Sequence, residues 1–213
     1  MWQSFFFLYV IAEILQAIEE KNKSCYTIKD FNGEEMNMIE SKLPIGMDGK
    51  LIREKYKALT NTLIERKLTI TTMESITSGL LASLITDTEG SSAVLKEAFV
   101  TYSNEAKIRR GVAANIIEKY GVYSSETAKA MAEAAALETK ADLAIGVTGS
   151  SGNVDPANKD SICGQVYFAI KYGSACHTYY LEIQPNQERK DFKMCVAGEI
   201  VEELLSLLKN QQS

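Results

Sequence analysis

One histidine, His177, serves a chain of 213 residues. That scarcity excludes a zinc site built on clustered imidazoles and leaves a Ser-His-Asp triad with a single candidate base. His177 falls in a stretch, Ala175 to Gln184, that reads as a strand, where an imidazole is more often a structural or surface group than a catalytic one. The four cysteines, Cys25, Cys163, Cys176 and Cys195, are widely separated with no C-x-x-C pair. Neither a metal knuckle nor a disulfide framework is expected, and reduced thiols are the simpler reading. Basic residues are in deficit: 23 Lys and Arg stand against 28 Asp and Glu, for a net charge of -5 and no basic stripe. Nucleic acid is therefore a poor partner. No apolar run approaches the roughly 20 residues needed to span a bilayer. Residues 5–12 (FFFLYVIA) are strongly apolar, yet no Lys or Arg precedes them and glutamates follow in place of a small-residue cleavage site. They read as a helix of about 15 residues with an apolar face for docking on the body or on another chain. A cytoplasmic protein without a membrane span is expected.

What is present is ordinary for a globular chain: 46% hydrophobic and 24% charged residues, with no internal repeat or low-complexity tract. We divide it into an N-terminal apolar helix and polar linker over 1–46, with Asn32-Gly33 as a turn signal and Pro44 and Gly46 as breakers, and a main domain over 47–213 for which Met47 is a candidate functional start. Leu51, Ile52, Tyr56, Leu59, Leu63 and Ile64 recur at helical spacing and predict a helix over 50–67. A Thr- and Ile-rich strand over 68–73 follows, then a helix over 77–86, a DTEGSS turn, a short helix over 93–97 and a second strand over 98–102. A short helix over 113–120 closes on Gly121. Ser124 or Ser125 then caps a long Ala-rich helix to about 139 that packs through Ala128, Met131, Ala132, Ala135 and Leu137. The apolar run over 142–148 predicts a central strand covered on both faces. Residues 163–171 and 175–184 form an antiparallel pair across Tyr172-Gly173-Ser174. A final helix over 187–209 turns Phe192, Val196, Ile200, Val201, Leu204, Leu205 and Leu208 inward. Helices alternating with strands, closed by a hairpin, predict a three-layer α/β/α sandwich with a mixed sheet.

The chemistry gathers at strand ends. Glu74 to Gly79 carries a strand into a helix through Ser75, Thr77 and Ser78, leaving backbone N–H groups that favour a phosphate or carboxylate, or forming a plain capped helix. Gly90-Ser91-Ser92 and Tyr102 to Lys107 supply hydroxyls, a phenol and an amine. Asn104 or Ser103 caps the turn that bears Lys107. A lysine beside a serine replaces histidine as general base when its surroundings favour the neutral amine. Thr148-Gly149 and the loop after it follow the central strand, the usual ligand position in α/β folds. Arg189 opens the last helix, where a guanidinium can clamp a phosphate bidentately. Taken one at a time, each stretch is equally a turn, a connector or a solvated helix start.

Their order is the specific signal. MESITSGLLA, GSSA, VTYSNEAK, GVxSxETA, ADLAIGVTG and GQVYFA, in that sequence over residues 50–209, resemble the C-terminal domain family of competence/damage-inducible protein CinA, the nicotinamide-nucleotide amidases. The resemblance implies an α/β/α fold and metal- and cofactor-free hydrolysis of the nicotinamide mononucleotide carboxamide to the acid and ammonia. It further implies a pyridine-nucleotide substrate and homo-oligomerisation. Position by position, it assigns Ser75, Ser92, Tyr102 and Lys107 to the catalytic set, with either serine as nucleophile. Glu74, Thr77, Ser78, Gly79, Asn104, Thr148, Gly149 and Arg189 fall to the substrate-binding set. The family's E-S-C-T-G-G, however, has Ile76 for Cys and Ser78 for its first Gly. Its Gly- and Pro-rich loop is reduced to Gly149-Ser150-Ser151-Gly152-Asn153-Val154-Asp155, its K-P-V-G is replaced by Asp160-Ser161-Ile162-Cys163-Gly164, and its G-D-R is Gln187-Glu188-Arg189. Surviving catalytic positions with drifted ligand loops suit an amidase of altered substrate or, alternatively, a nucleotide-binding or scaffold protein without turnover.

Overall fold

The computed structural model of the protein describes residues 25–29, 35–40, 49–152, 158, 161–183 and 188–210; the apolar segment over 5–12 lies outside them. Seven strands form one mixed sheet: β1 (Cys25–Lys29), β2 (Glu35–Glu40), β3 (Ile70–Glu74), β4 (Phe99–Val100), β5 (Leu143–Gly149), β6 (Gln165–Tyr172) and β7 (Ala175–Glu182), in the spatial order β1-β2-β7-β6-β5-β3-β4. β3 lies parallel to both β4 and β5, so the carboxyl ends of these three strands meet at one edge of the sheet. β6 runs antiparallel to β5 and to β7.

Period-two alternation assigns the faces. Leu143, Ile145 and Val147 of β5, with Val166, Phe168 and Ile170 of β6, join one large core. Over it lie α1 (Gly49–Arg66), α2 (Leu80–Thr86) and α6 (Arg189–Asn210). Most of the expected stripes hold: Ile52, Tyr56, Leu59 and Leu63 are buried, as are Phe192, Val196, Ile200, Val201, Leu204 and Leu208, while Ile64 and Leu205 are partly buried and Leu51, expected to pack, is 41% exposed. Among the polar contacts that cross between these helices, two join α1 to α6 in the interior. The Tyr56 hydroxyl donates to the Ala197 carbonyl at 3.0 Å, and Lys55 pairs with Glu202 in the interior.

The intervening residues of β5, Ala144 and Gly146, face α5 (Ser125–Thr139), flanked by α3 (Asn104–Arg109) and α4 (Ala114–Tyr120). A Cβ at Gly146 would lie 2.1 Å from the Ala128 carbonyl oxygen and 2.5 Å from the Ala132 nitrogen. This close seating explains the alanine richness of α5: a larger side chain at 128 or 132 would lift the helix off the sheet. Leu137, expected to pack, instead points to solvent at 70% exposure. Ser124 caps α5, its hydroxyl accepting from the Thr127 N–H at 3.2 Å.

Four elements differ from the sequence reading, the first being α3, expected as a turn bearing Lys107. The short helix expected over 93–97 is a 3-10 turn over Ser91–Ala93. The helix expected from Thr77 begins at Leu80. The stretch over 21–46, expected to be a linker, carries β1 and β2, paired antiparallel, and β2 lies parallel along β7 with Met38 opposite Tyr180. Met36 and Ile39 are buried there, and Asn37 Nδ2 donates to the Thr178 carbonyl at 3.3 Å. Such short strands carry little periodic signal; their partner lies far along the chain.

Candidate active site

β3 ends at Glu74, and its pairing continues for one residue beyond. The Ser75 N–H donates to the Val147 carbonyl at 3.0 Å, while the Thr101 N–H donates to the Glu74 carbonyl at 2.8 Å. Ser75 therefore sits between the chain leaving β4 and the chain leaving β5. Lys107 arrives on α3, whose N-cap Ser103 accepts from the Ala106 N–H at 3.1 Å. Its side chain is 1% exposed. The Nζ lies 3.2 Å from Ser75 Oγ and donates to the Thr101 carbonyl at 2.8 Å. A buried amine in hydrogen-bond reach of a buried hydroxyl is thus assembled from two elements by strand pairing and one capped turn.

Glu74, assigned above to the ligand, is committed to the fold. Its carboxylate is buried and accepts from the N–H groups of Gly79 (2.9 Å), Leu81 (3.1 Å) and Ala82 (3.0 Å) and from the Thr72 hydroxyl (3.0 Å). The anion expected at the start of this helix is therefore the protein's own carboxylate, which satisfies its orphan donors and complements its dipole. Gly149 is likewise structural: a Cβ there would meet the Gln165 carbonyl oxygen at 2.7 Å, inside the β5–β6 ladder. Gly79 serves the turn itself, with φ of 92°.

Ser92 is separated from the amine. The Ile70 N–H donates to the Val94 carbonyl at 2.9 Å, and Leu95 bridges Ile70, which places the Ser91–Ala93 turn at the amino end of β3. Ser75 lies at the other end, about 16 Å away along five extended residues. Of the two candidate serines, Ser75 alone shares a site with Lys107 among the described residues.

The remaining candidates fall on the segments at the ends of β3, β4 and β5 and on α3 and α6. Thr148 is buried and donates its hydroxyl to the Val122 carbonyl at 2.9 Å. Tyr102, 62% exposed and next in the chain to Thr101, receives a hydrogen bond from Arg189 at 3.1 Å. Asn104 donates to the Asn158 side chain at 3.0 Å. Among the described residues the hydroxyl of Thr77, 1% exposed, has no hydrogen-bond partner, and neither has that of Thr101 at 2% nor that of Ser151 at 8%. Ser78 takes the left-handed conformation, φ of 49°, and its hydroxyl accepts from Lys193 at 2.7 Å. Thr101, Asn158 and Lys193 were not singled out in the sequence; Lys193 was findable as the residue one helical turn beyond Arg189. Cys176 lies apart on β7, where burial, and secondarily Glu133, pushes its thiol up to about 11, far from thiolate chemistry. No group of three or more His, Cys, Asp or Glu side chains among the described residues is arranged to hold a metal ion. No helix among them is long and apolar enough to cross a membrane.

An α/β/α sandwich presenting a buried serine–lysine pair where parallel strands end defines the class of protein. The model of the CinA C-terminal domain matches residues 53–208, and the chain belongs to that family. It is 44% identical over 97 residues to a CinA-like protein of Chlorobaculum tepidum, covering 45% of this chain and 23% of that one. Identity to a CinA-like protein of Citrifermentans bemidjiense is 40% over 128 residues, covering 60% of this chain and 31% of the relative. The chain spans about a third of the length of the curated relatives it matches. Among solved structures it resembles competence/damage inducible protein CihA from Agrobacterium tumefaciens, with a TM-score of 0.69 and 28% identity over 78% of this chain and 98% of that one. A CinA superfamily protein from Escherichia coli matches with a TM-score of 0.67 and 27% identity over 78% and 95% of the two chains.

Proposed function

We propose that the protein is an amidohydrolase that converts nicotinamide mononucleotide to nicotinic acid mononucleotide and ammonia. The observation that carries this reading is the 3.2 Å approach of Lys107 Nζ to Ser75 Oγ, both residues being buried. In its neutral form the Lys107 amine takes the Ser75 hydroxyl proton as Oγ attacks the carboxamide carbon. The tetrahedral adduct collapses as the same proton passes to the departing nitrogen, releasing ammonia and leaving an ester on Ser75. Water, deprotonated by Lys107, then cleaves the ester to the carboxylate and restores the serine. The Thr101 carbonyl holds the amine in place through its 2.8 Å hydrogen bond. The nucleotide's phosphate and ribose would lie against the hydrogen-bonded Arg189 and Tyr102. Ser75, in contact with the amine, is the nucleophile in this scheme, and Ser92 has no part in it.

Ammonia release from nicotinamide mononucleotide by the purified chain tests the reading. Ser75→Ala and Lys107→Ala are expected to lower the rate by on the order of a thousandfold or more. Ser92→Ala is expected to stay within about threefold, as for a surface change away from the chemistry. A wild-type rate no higher than that of Lys107→Ala would remove the hydrolase reading. Tight mononucleotide binding alongside that result would leave the non-catalytic nucleotide-binding alternative, consistent with the drifted ligand loops.

A further inference from the structure

Two cations stand one turn apart on α6, and among the described residues neither forms an ion pair. Arg189 reaches the Tyr102 hydroxyl at 3.1 Å and Lys193 reaches the Ser78 hydroxyl at 2.7 Å. Residues four apart share a helix face. Among the described residues neither cation pairs with a carboxylate; the nearby acid, Glu188, is taken by Lys190 at 2.9 Å. Asp191, two residues from each, does not share their face. Both cations therefore reach hydroxyls of residues close in the chain to Ser75 and to Thr101, which holds Lys107. Lys193 grips the very turn that follows the serine, since the Ser78 N–H donates to the Ser75 carbonyl at 3.1 Å. Within this turn the Thr77 hydroxyl is 1% exposed and unpartnered among the described residues, a buried polar atom left for a ligand to satisfy. Ser78 pays a local strain in the left-handed region that glycine would avoid, which its hydrogen bond to Lys193 offsets.

We propose that Lys193, oriented by Ser78 and acting with Arg189, is a specificity-determining residue that selects ligands bearing a phosphate monoester. The inference rests on the amidase reading only for where the carboxamide lies. An ammonium and a guanidinium on one helix face offer a compact dianion two charge-assisted contacts from one side, while the reacting end lies at Ser75. Ser78 here is a positioning residue: a side chain in place of the family's glycine does not merely narrow the phosphate approach, it aims a cation at it.

Calorimetry on the full chain with nicotinamide mononucleotide, nicotinamide riboside and ribose 5-phosphate tests the proposal apart from turnover. Lys193→Ala is expected to weaken the two phosphorylated probes by about tenfold or more, as for loss of a charge-assisted hydrogen bond, and to leave the riboside unchanged. Lys193→Arg is expected to keep most of the affinity. Ser78→Gly, which suits the turn's backbone, is expected to give a smaller loss confined to the phosphorylated probes. Lys193-dependent binding of ribose 5-phosphate without mononucleotide turnover would sustain this inference while the amidase reading fails. Equal losses for riboside and mononucleotide, no loss in Lys193→Ala, or no binding of either phosphorylated probe would overturn it.

Discussion

Glu74 accepts four hydrogen bonds and is wholly buried, so truncating it leaves four donors facing an apolar space. Each buried orphan costs about 1–3 kcal/mol. Glu74→Ala is expected to destabilise the chain by about 3 kcal/mol or more, read as a lower midpoint in denaturant titration with an unchanged slope. Glu74→Gln should fare little better, because its NH2 group would confront N–H donors in place of an acceptor oxygen. A Glu74→Ala protein as stable as wild type would show that the carboxylate is not the helix's internal anion. The same residue explains the ordering of the site: its carbonyl holds Thr101, the next residue along is Ser75, and the Thr101 carbonyl in turn holds Lys107.

At the scale of elements, β3 and β5 are pinned at both ends. Ser75 extends their ladder at the carboxyl end. At the amino end Asp142 accepts from the Thr69 N–H at 2.8 Å and hydroxyl at 2.7 Å, while the Asp142 N–H donates to the Thr69 hydroxyl at 3.1 Å. The Thr69 backbone N–H first, and then its hydroxyl, hold the Asp142 carboxyl below its ordinary value. A carboxyl depressed in the folded state contributes stability above its unfolded pKa of about 3.9, and that contribution fades as pH falls through the lower folded value. Asp142→Asn is therefore expected to melt below wild type at pH 7 and to converge on it below about pH 4. Because Asp142 is exposed, the gap should amount to a few degrees at most. Parallel melting curves for the two proteins from pH 3 to 7 would refute the clamp.

For the molecule as a whole, the sheet extends past the hairpin that the sequence suggested as its edge. β2 covers β7 in parallel register over Asn37 to Glu40, and Met36 and Ile39 are 7% and 1% exposed. A chain begun at Met47 would bare the N–H and C=O groups of β7 and the pocket that Ile39 fills. Losing the burial of those two side chains alone costs about 3–5 kcal/mol. Removal of residues 1–46 is expected to lower the melting temperature by about 10 °C or more and to promote self-association through the uncovered strand, read by scanning calorimetry and light scattering. A truncated chain that melts with the full one and stays equally dispersed would return 1–46 to the status of an appendage.

Much of this was legible in the residues. The stripes of α1 and α6, the unbroken apolar run of β5, the Ser124 cap and the lone imidazole that turned attention to Lys107 are local facts, because helical and strand periodicities are written within a few residues of one another. Choosing Ser75 over Ser92, turning Glu74 inward, recruiting Lys193 to Ser78 and pairing β2 with β7 were beyond local reading. Each depends on which strand ends meet and which helix face crosses them, and those are settled by pairing and packing between residues distant in the chain. The amino acids alone thus determined most of the helices and strands of the main domain, the fold class and the types of group at the site; only the tertiary structure decided which of them touch and that β1 and β2 extend the sheet, because contact is a property of the assembled sheet and helices and not of any one segment.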